Sequence, residues 1–148
     1  LPADATDVET DGEWVYFGAG SSLGALDLAC AASDSCLNAQ SGLIAANVVP
    51  QTALDVSGNL LVYTAYAQNQ NDPNDREVRA VNLNCLNDPP SCAPQTVAAG
   101  AVAGQLAANG RFVVVEQVAG GLSSLDLTSG SAAYLSDRGA PLAGARWQ

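Results

Sequence analysis

Hydrophobic positions in this chain fall into short runs, and one layout of runs occurs three times. Trp14-Val15-Tyr16-Phe17 follows Thr10-Asp11-Gly12-Glu13 and precedes Leu23-Gly24-Ala25-Leu26-Asp27-Leu28. Leu60-Leu61-Val62-Tyr63 follows Val56-Ser57-Gly58-Asn59 and precedes Glu77-Val78-Arg79-Ala80-Val81-Asn82-Leu83. Phe112-Val113-Val114-Val115 follows Ala108-Asn109-Gly110-Arg111 and precedes Leu122-Ser123-Ser124-Leu125-Asp126-Leu127. A nearly continuous apolar run of strand length reads as a strand covered on both faces. An alternating run reads as a strand with one covered face. Asp-Gly, Ser-Gly or Asn-Gly just before an apolar run is a hairpin signal, because such turns need backbone that accepts positive φ.

Each repeat thus predicts four strands. The first ends at the turn, at Ala5–Glu9, Ala53–Val56 and Gly104–Ala107. The fourth is polar or alanine-rich, at Leu43–Ala46, Gln95–Ala98 and Ala132–Leu135, as suits an outer edge facing water. The turn glycines Gly12, Gly58 and Gly110 lie 46 and 52 residues apart, in the range of propeller blades. The second repeat is longer because its hairpin carries the insertion Gln68 to Asp75. The expected fold is all-β: three tandem four-stranded antiparallel β-propeller blades forming an incomplete ring in a single partial domain. Blades are placed at about 5–49, 50–103 and 104–140, with 141–148, including Trp147, as the start of another. A β-sandwich accounts for the strand spacing but not for three matching segments.

Turn glycine, apolar strand, loop, apolar-x-Asp-Leu and a short Gly or Cys loop together resemble the TolB-type and WD-repeat-like β-propeller superfamily. The resemblance covers about residues 5 to 147. The superfamily's Ser-Pro-Asp-Gly turn is represented by Glu9-Thr10-Asp11-Gly12 and Asp55-Val56-Ser57-Gly58, both without Pro. It implies a fold and no particular activity. Propellers have about four to eight blades, so three blades imply partners: further blades from the same protein or from copies of the chain itself.

The cysteines form two close pairs, Cys30 with Cys36 and Cys85 with Cys92, each after a third strand. A zinc site needs four converging thiolates, usually from tighter CxxC knuckles. Two local disulfides, Cys30–Cys36 and Cys85–Cys92, are the favoured reading, and they place the chain in a secreted, extracellular or periplasmic setting.

Charge narrows the function classes. The 148 residues carry a net charge of −10, no Lys and five scattered Arg. Phosphate backbones demand clustered cations, so nucleic-acid binding is not expected. No window reaches the roughly 20 consecutive apolar residues of a membrane helix, so no membrane insertion is expected. The chain has no His, which removes the usual general base near neutral pH and the Ser-His-Asp triad. No G-x-S-x-G elbow and no phosphate-cradling glycine loop occurs, and no catalytic residue is assigned.

Three groups remain as candidate chemistry. Asp72, Asn74 and Asp75 lie in the polar insertion, where dense oxygen ligands could hold Ca²⁺. The competing reading is a solvated hairpin tip with turn-forming residues. No other cofactor is expected. Asp27, Asn82 and Asp126 recur on the third strands, as a polar ring around a pore or as solvent-facing or turn-capping positions. Asp7, Glu9 and Asp55 sit on first strands, which line a propeller's channel, where paired carboxylates could serve glycoside chemistry or act as ordinary polar lining. Trp14 and Trp147 read as core or blade-interface residues. The leading expectation is a non-enzymatic extracellular module for protein interaction or for structural, even filament-like, assembly. The alternatives are a fragment of a propeller-type glycoside hydrolase or lyase, and a calcium- or carbohydrate-binding adhesin module.

Overall fold

The computed structural model describes residues 4–31, 41–87, 91–107, 110–130 and 132–136. Its strands form three separate sheets. The first holds β1 (Ala5–Thr10), β2 (Trp14–Ala19), β3 (Ser22–Asp27) and β4 (Ser41–Ala46). The second holds β5 (Asp55–Ser57), β6 (Leu60–Tyr66), β7 (Arg76–Asn82) and β8 (Gln95–Ala99). The third holds β9 (Ala101–Ala107), β10 (Phe112–Gln117), β11 (Leu122–Asp126) and β12 (Ala132–Ser136). Each sheet is an antiparallel meander paired in chain order, and among the described residues no strand of one sheet ladders with another sheet. That is the blade arrangement expected from the repeats, and it rules out the two stacked sheets of a sandwich.

The repetition extends to single hydrogen bonds. Leu28, Leu83 and Leu127 donate their amide N–H to the carbonyls of Glu13, Asn59 and Arg111, at 2.8–2.9 Å. Each of these carbonyls belongs to the residue after the turn glycine. The third strands were expected to run through these leucines. They end one residue earlier, because Asp27, Asn82 and Asp126 accept the N–H of Ala29, Asn84 and Thr128 at 2.8–3.0 Å. A side-chain oxygen that bonds the backbone two residues ahead turns the chain out of the ladder. In the first two blades the turn continues as a short helix, α1 (Leu28–Ala31), and as a 3-10 turn over Leu83–Asn87. β9 begins at Ala101, three residues before the expected Gly104, and β5 at Asp55, two after the expected Ala53.

Period-two alternation divides the core in two. Tyr16, Leu23, Ala25 and Ile44 of the first blade meet Leu61, Tyr63, Ala65 and Val81 of the second. Val62, Val78 and Ala80 on the opposite face of the second blade meet Leu106, Val113 and Val115 of the third. The run Leu60–Tyr66 is nearly all apolar because neighbouring blades cover both of its faces. Each fully buried leucine or valine contributes about 1.5–3 kcal/mol. Gly104 sets the spacing of the second junction: a Cβ there would come within 2.8 Å of Val78 Cγ1.

The first blade keeps a further apolar face, turned away from the second. Val8, Phe17, Gly24 and Leu43 are direct cross-strand partners in one row. The Phe17 ring lies on Gly24, 2.7 Å from where a Cβ would stand. At the ends of the row, Val8 is 50% exposed and Leu43 59% exposed.

Candidate functional site

Loops from all three blades gather at one end of the sheets. The β6–β7 insertion is pinned there to the β4–β5 connection: Tyr66 N–H donates to the Asn47 carbonyl at 2.9 Å, and Gln70 Nε2 to Asn47 Oδ1 at 2.9 Å. The β2–β3 turn joins them through Val48 N–H to the Ser21 carbonyl at 3.0 Å. Val118 N–H donates to the Gly100 carbonyl at 2.8 Å and ties the third blade's loop to the β8–β9 turn.

The insertion itself is ordered by its own side chains. Asp75 Oδ2 accepts the amide of Gln68 at 2.8 Å and that of Asn69. Asp72 Oδ1 accepts Asn74 N–H at 2.8 Å, and Asn69 Oδ1 accepts Asn71 N–H at 3.0 Å. The proposed calcium ligands Asp72, Asn74 and Asp75 are therefore in one loop, with carboxylate oxygens of both aspartates facing backbone donors. Among the described residues no group of three or more His, Cys, Asp or Glu is placed to hold a metal ion.

A groove of about 170 Å³ opens between the β4–β5 connection and the third blade. Gln51, Thr52, Gln105 and Glu116 supply its polar lining. The sequence did not single out these residues. Asn47 and Gln51 adopt positive φ, 61° and 59°, and Asn tolerates that region while Gln does so rarely. Only the proline between them, Pro50, marks the segment as a turn.

The other candidates have structural partners. Asp27, Asn82 and Asp126 are turn caps on the third strand of their sheets, away from any pore lined by the first strands. Asp55 Oδ2 accepts Leu106 N–H at 2.6 Å, reaching from the first strand of one blade to the first strand of the next. Asp7 stands at a bulge between Thr6 and Val8 with φ 48°, and partial burial raises its pKa. Asp11 was missed as more than a turn residue. Its Oδ1 accepts Glu13 and Trp14 amides at 2.9 and 2.8 Å, and its Oδ2 accepts the Tyr16 hydroxyl at 2.6 Å. Partial burial opposes these bonds but does not outweigh them, and they hold the carboxyl below its usual range. Burial, then the Asp11 bond, raises the Tyr16 phenol.

Cys85 and Cys92 form a disulfide, with Cα atoms 5.0 Å apart, that closes the β7–β8 connection. Both pack at the edge of the first junction's core. Cys36 lies outside the described residues, as do Trp147 and the segment 141–148 expected to begin another blade. Trp14 packs at the junction of the first two blades. Among the described residues no helix is long and apolar enough to cross a membrane.

No family model and no curated protein matches the chain. Solved structures do. A chain of the S. cerevisiae complex of Dbp5 with Nup159, Gle1, IP6 and ADP is 16% identical with a TM-score of 0.55, over 90% of this chain and 33% of that one. The N-terminal domain of Nup159, a β-propeller, gives 16% identity and a TM-score of 0.55, over 91% and 34%. The chain thus spans about one-third of the length of the propeller chains it resembles, and at this identity the likeness shows the fold.

Proposed function

We propose that the chain is a non-enzymatic β-propeller module of an exported protein, and that it binds protein through the loop-bearing end of its blades. One observation carries this reading. The Gln68–Asp75 insertion adds nothing to either core, yet four of its own side chains, Asn69, Gln70, Asp72 and Asp75, hold it in one shape. A polar loop fixed on a rigid sheet is a binding element, since it meets a partner without a large ordering cost. The matching hairpin of the first blade turns with Gly20 and Ser21 alone, so the sheet does not require the extra residues. The Cys85–Cys92 disulfide supports an oxidising compartment.

The test is to replace Gln68–Asn74 with Asn-Gly and compare the two chains as bait in the medium of the source cells. Proteins retained by the native chain and lost with the short hairpin are the expected result. Identical retention by both, with identical unfolding curves, would sink the reading.

A further inference from the structure

We infer that Arg76, with Tyr66 opposite it, anchors a carboxylate at the neck of the insertion: an acidic side chain of the bound protein. This rests on the loop-borne binding proposed above for where the partner sits, and adds the chemistry that the partner must carry.

Tyr66 closes β6 just before the insertion and Arg76 opens β7 just after it, and the two are direct cross-strand partners. Alternation puts both on the face that carries Thr64 and Val78 toward the third blade. Direct partners hold their Cβ atoms about 4.5–5.5 Å apart, so guanidinium and phenol can serve one ligand. Both residues are partly exposed. Glu77 pairs with Ala99, which brings the β8–β9 turn alongside with only the small residues Ala99, Gly100 and Ala101.

The chain has 15 acidic side chains for five arginines, so acceptors are in excess. Glu77 holds Arg79 and Asp126 holds Arg111. Arg76 differs. Among the described residues no carboxylate pairs with it and no acceptor takes its hydrogen bonds, and its Nε is enclosed without a partner. The acids nearest in sequence are engaged elsewhere. Asp72 and Asp75 face the amides of their own loop, and Glu77 bonds Arg79 on the opposite face of β7. A guanidinium is always charged, and leaving it half-buried with no acceptor is unfavourable. An anion from outside removes that penalty. The Nη groups are not enclosed, and their planar fork matches the two oxygens of a carboxylate. The Tyr66 hydroxyl, which has no hydrogen bond among the described residues, is a third donor. Charge sets the ligand class: one cation among acids balances a single negative charge, whereas a phosphate carries nearly two. Arginine and tyrosine are also the side chains on which binding energy at protein interfaces concentrates.

The probe is acetyl-Gly-Asp-Gly-amide, titrated into the full chain while NMR follows the arginine Nε–H resonances. Acetyl-Gly-Asn-Gly-amide and inorganic phosphate are the comparison arms. The Arg76 resonance should shift saturably with the Asp peptide and not with the Asn peptide. Arg79 and Arg111, already paired, should not move. Tyr66→Phe should weaken binding about fivefold. Arg76→Gln, with folding checked by circular dichroism, should abolish the shift of the Tyr66 ring. An Arg76 resonance that ignores the Asp peptide, or follows the Asn peptide equally, overturns the proposal with no variant needed. Phosphate binding tighter than the Asp peptide overturns the choice of a carboxylate. Proteins lost with the Asn-Gly hairpin but retained by Arg76→Gln overturn the anchor and leave the loop-borne binding standing. Retention unchanged by the short hairpin sinks the loop-borne binding, and the peptide titration still decides whether Arg76 takes a carboxylate.

Discussion

The two junctions between blades solve one packing problem with different materials. The first is thick. Tyr16 and Tyr63 stand in it beside Leu23, Leu61, Leu83 and Leu86, with the Cys85–Cys92 loop against its edge. Its polar content includes an ion pair, Glu77 with Arg79 at 2.5 Å, on the same face of β7. The second is thin. It holds valines, alanines and Leu106, with Gly104 close against Val78. Hydrogen bonds compensate for the smaller side chains: Asp55 to the Leu106 amide, and the buried Thr64 hydroxyl to the Val102 carbonyl at 3.0 Å. Large side chains separate blades and must be filled around. Small ones bring strand edges close enough for side chain to bond backbone across the gap.

The contrast is broken most forcefully at the thick junction. Leu61 is fully buried, and Leu61→Ala leaves a cavity between rigid sheets. The expected loss is about 3 kcal/mol, read from the midpoint of urea unfolding. Val113→Ala in the thin junction removes less and should cost less; equal costs would mean that the junctions do not differ in packing. Next in size is the disulfide. Reducing Cys85–Cys92 frees a short loop that flanks only the thick junction, at a cost of about 2 kcal/mol. Hydrogen exchange should then quicken in β7 and β8 before β10 and β11.

Much of this architecture was legible in the sequence because period and punctuation agreed. Apolar runs after Gly12, Gly58 and Gly110 gave the second strands, and the recurring Asp27, Asn82 and Asp126 lay on the third strands, although each strand stops there and not at the leucine that follows. The junctions' difference was not legible. Nothing in the pattern singled out Glu77 and Arg79, and only the neighbouring blade puts Glu77, 8% exposed, at a junction. The density of Asn and Asp in the insertion was plain. That the Gln68 and Asn69 amides engage Asp75 depends on loop geometry, which composition does not encode. Gln51 and Gln105 meet at the groove from segments 54 residues apart, a proximity set by blade packing alone.

The thin junction's hydrogen bonds can be tested one at a time. Asp55→Ala leaves the N–H of Leu106, a residue 6% exposed, without its acceptor, at an expected cost of about 1–3 kcal/mol in urea unfolding. Asp55→Asn keeps a neutral acceptor and should lose roughly half as much, since a charged acceptor bonds about twice as strongly. If Asn and Ala cost the same, packing at Asp55 matters and the bond does not.

The smallest effect belongs to an aspartate on the face beyond the thin junction. Asp126 Oδ2 accepts from Arg111 Nη2 at 2.9 Å, and the Arg111 guanidinium sits 4.9 Å over the Phe112 ring. That bond, helped by the Thr128 amide, lowers the Asp126 carboxyl to about 2 from an ordinary 3.8. A carboxyl depressed on folding stabilises the fold above its unfolded pKa and loses that contribution as pH falls through the folded value. The window is therefore pH 4 to 2. Asp7 has the opposite sign: burial raises its pKa, so its charge opposes folding at neutral pH and the penalty lifts as acid protonates it. Carboxyl NMR titration should place Asp126 near 2 and Asp7 above 3.8. Arg111→Gln should return Asp126 toward 3.8 while hardly moving the urea midpoint, because water screens an exposed pair. A large stability loss from Arg111→Gln would mean that the pair is shielded from water and stands to the fold as Asp55 does.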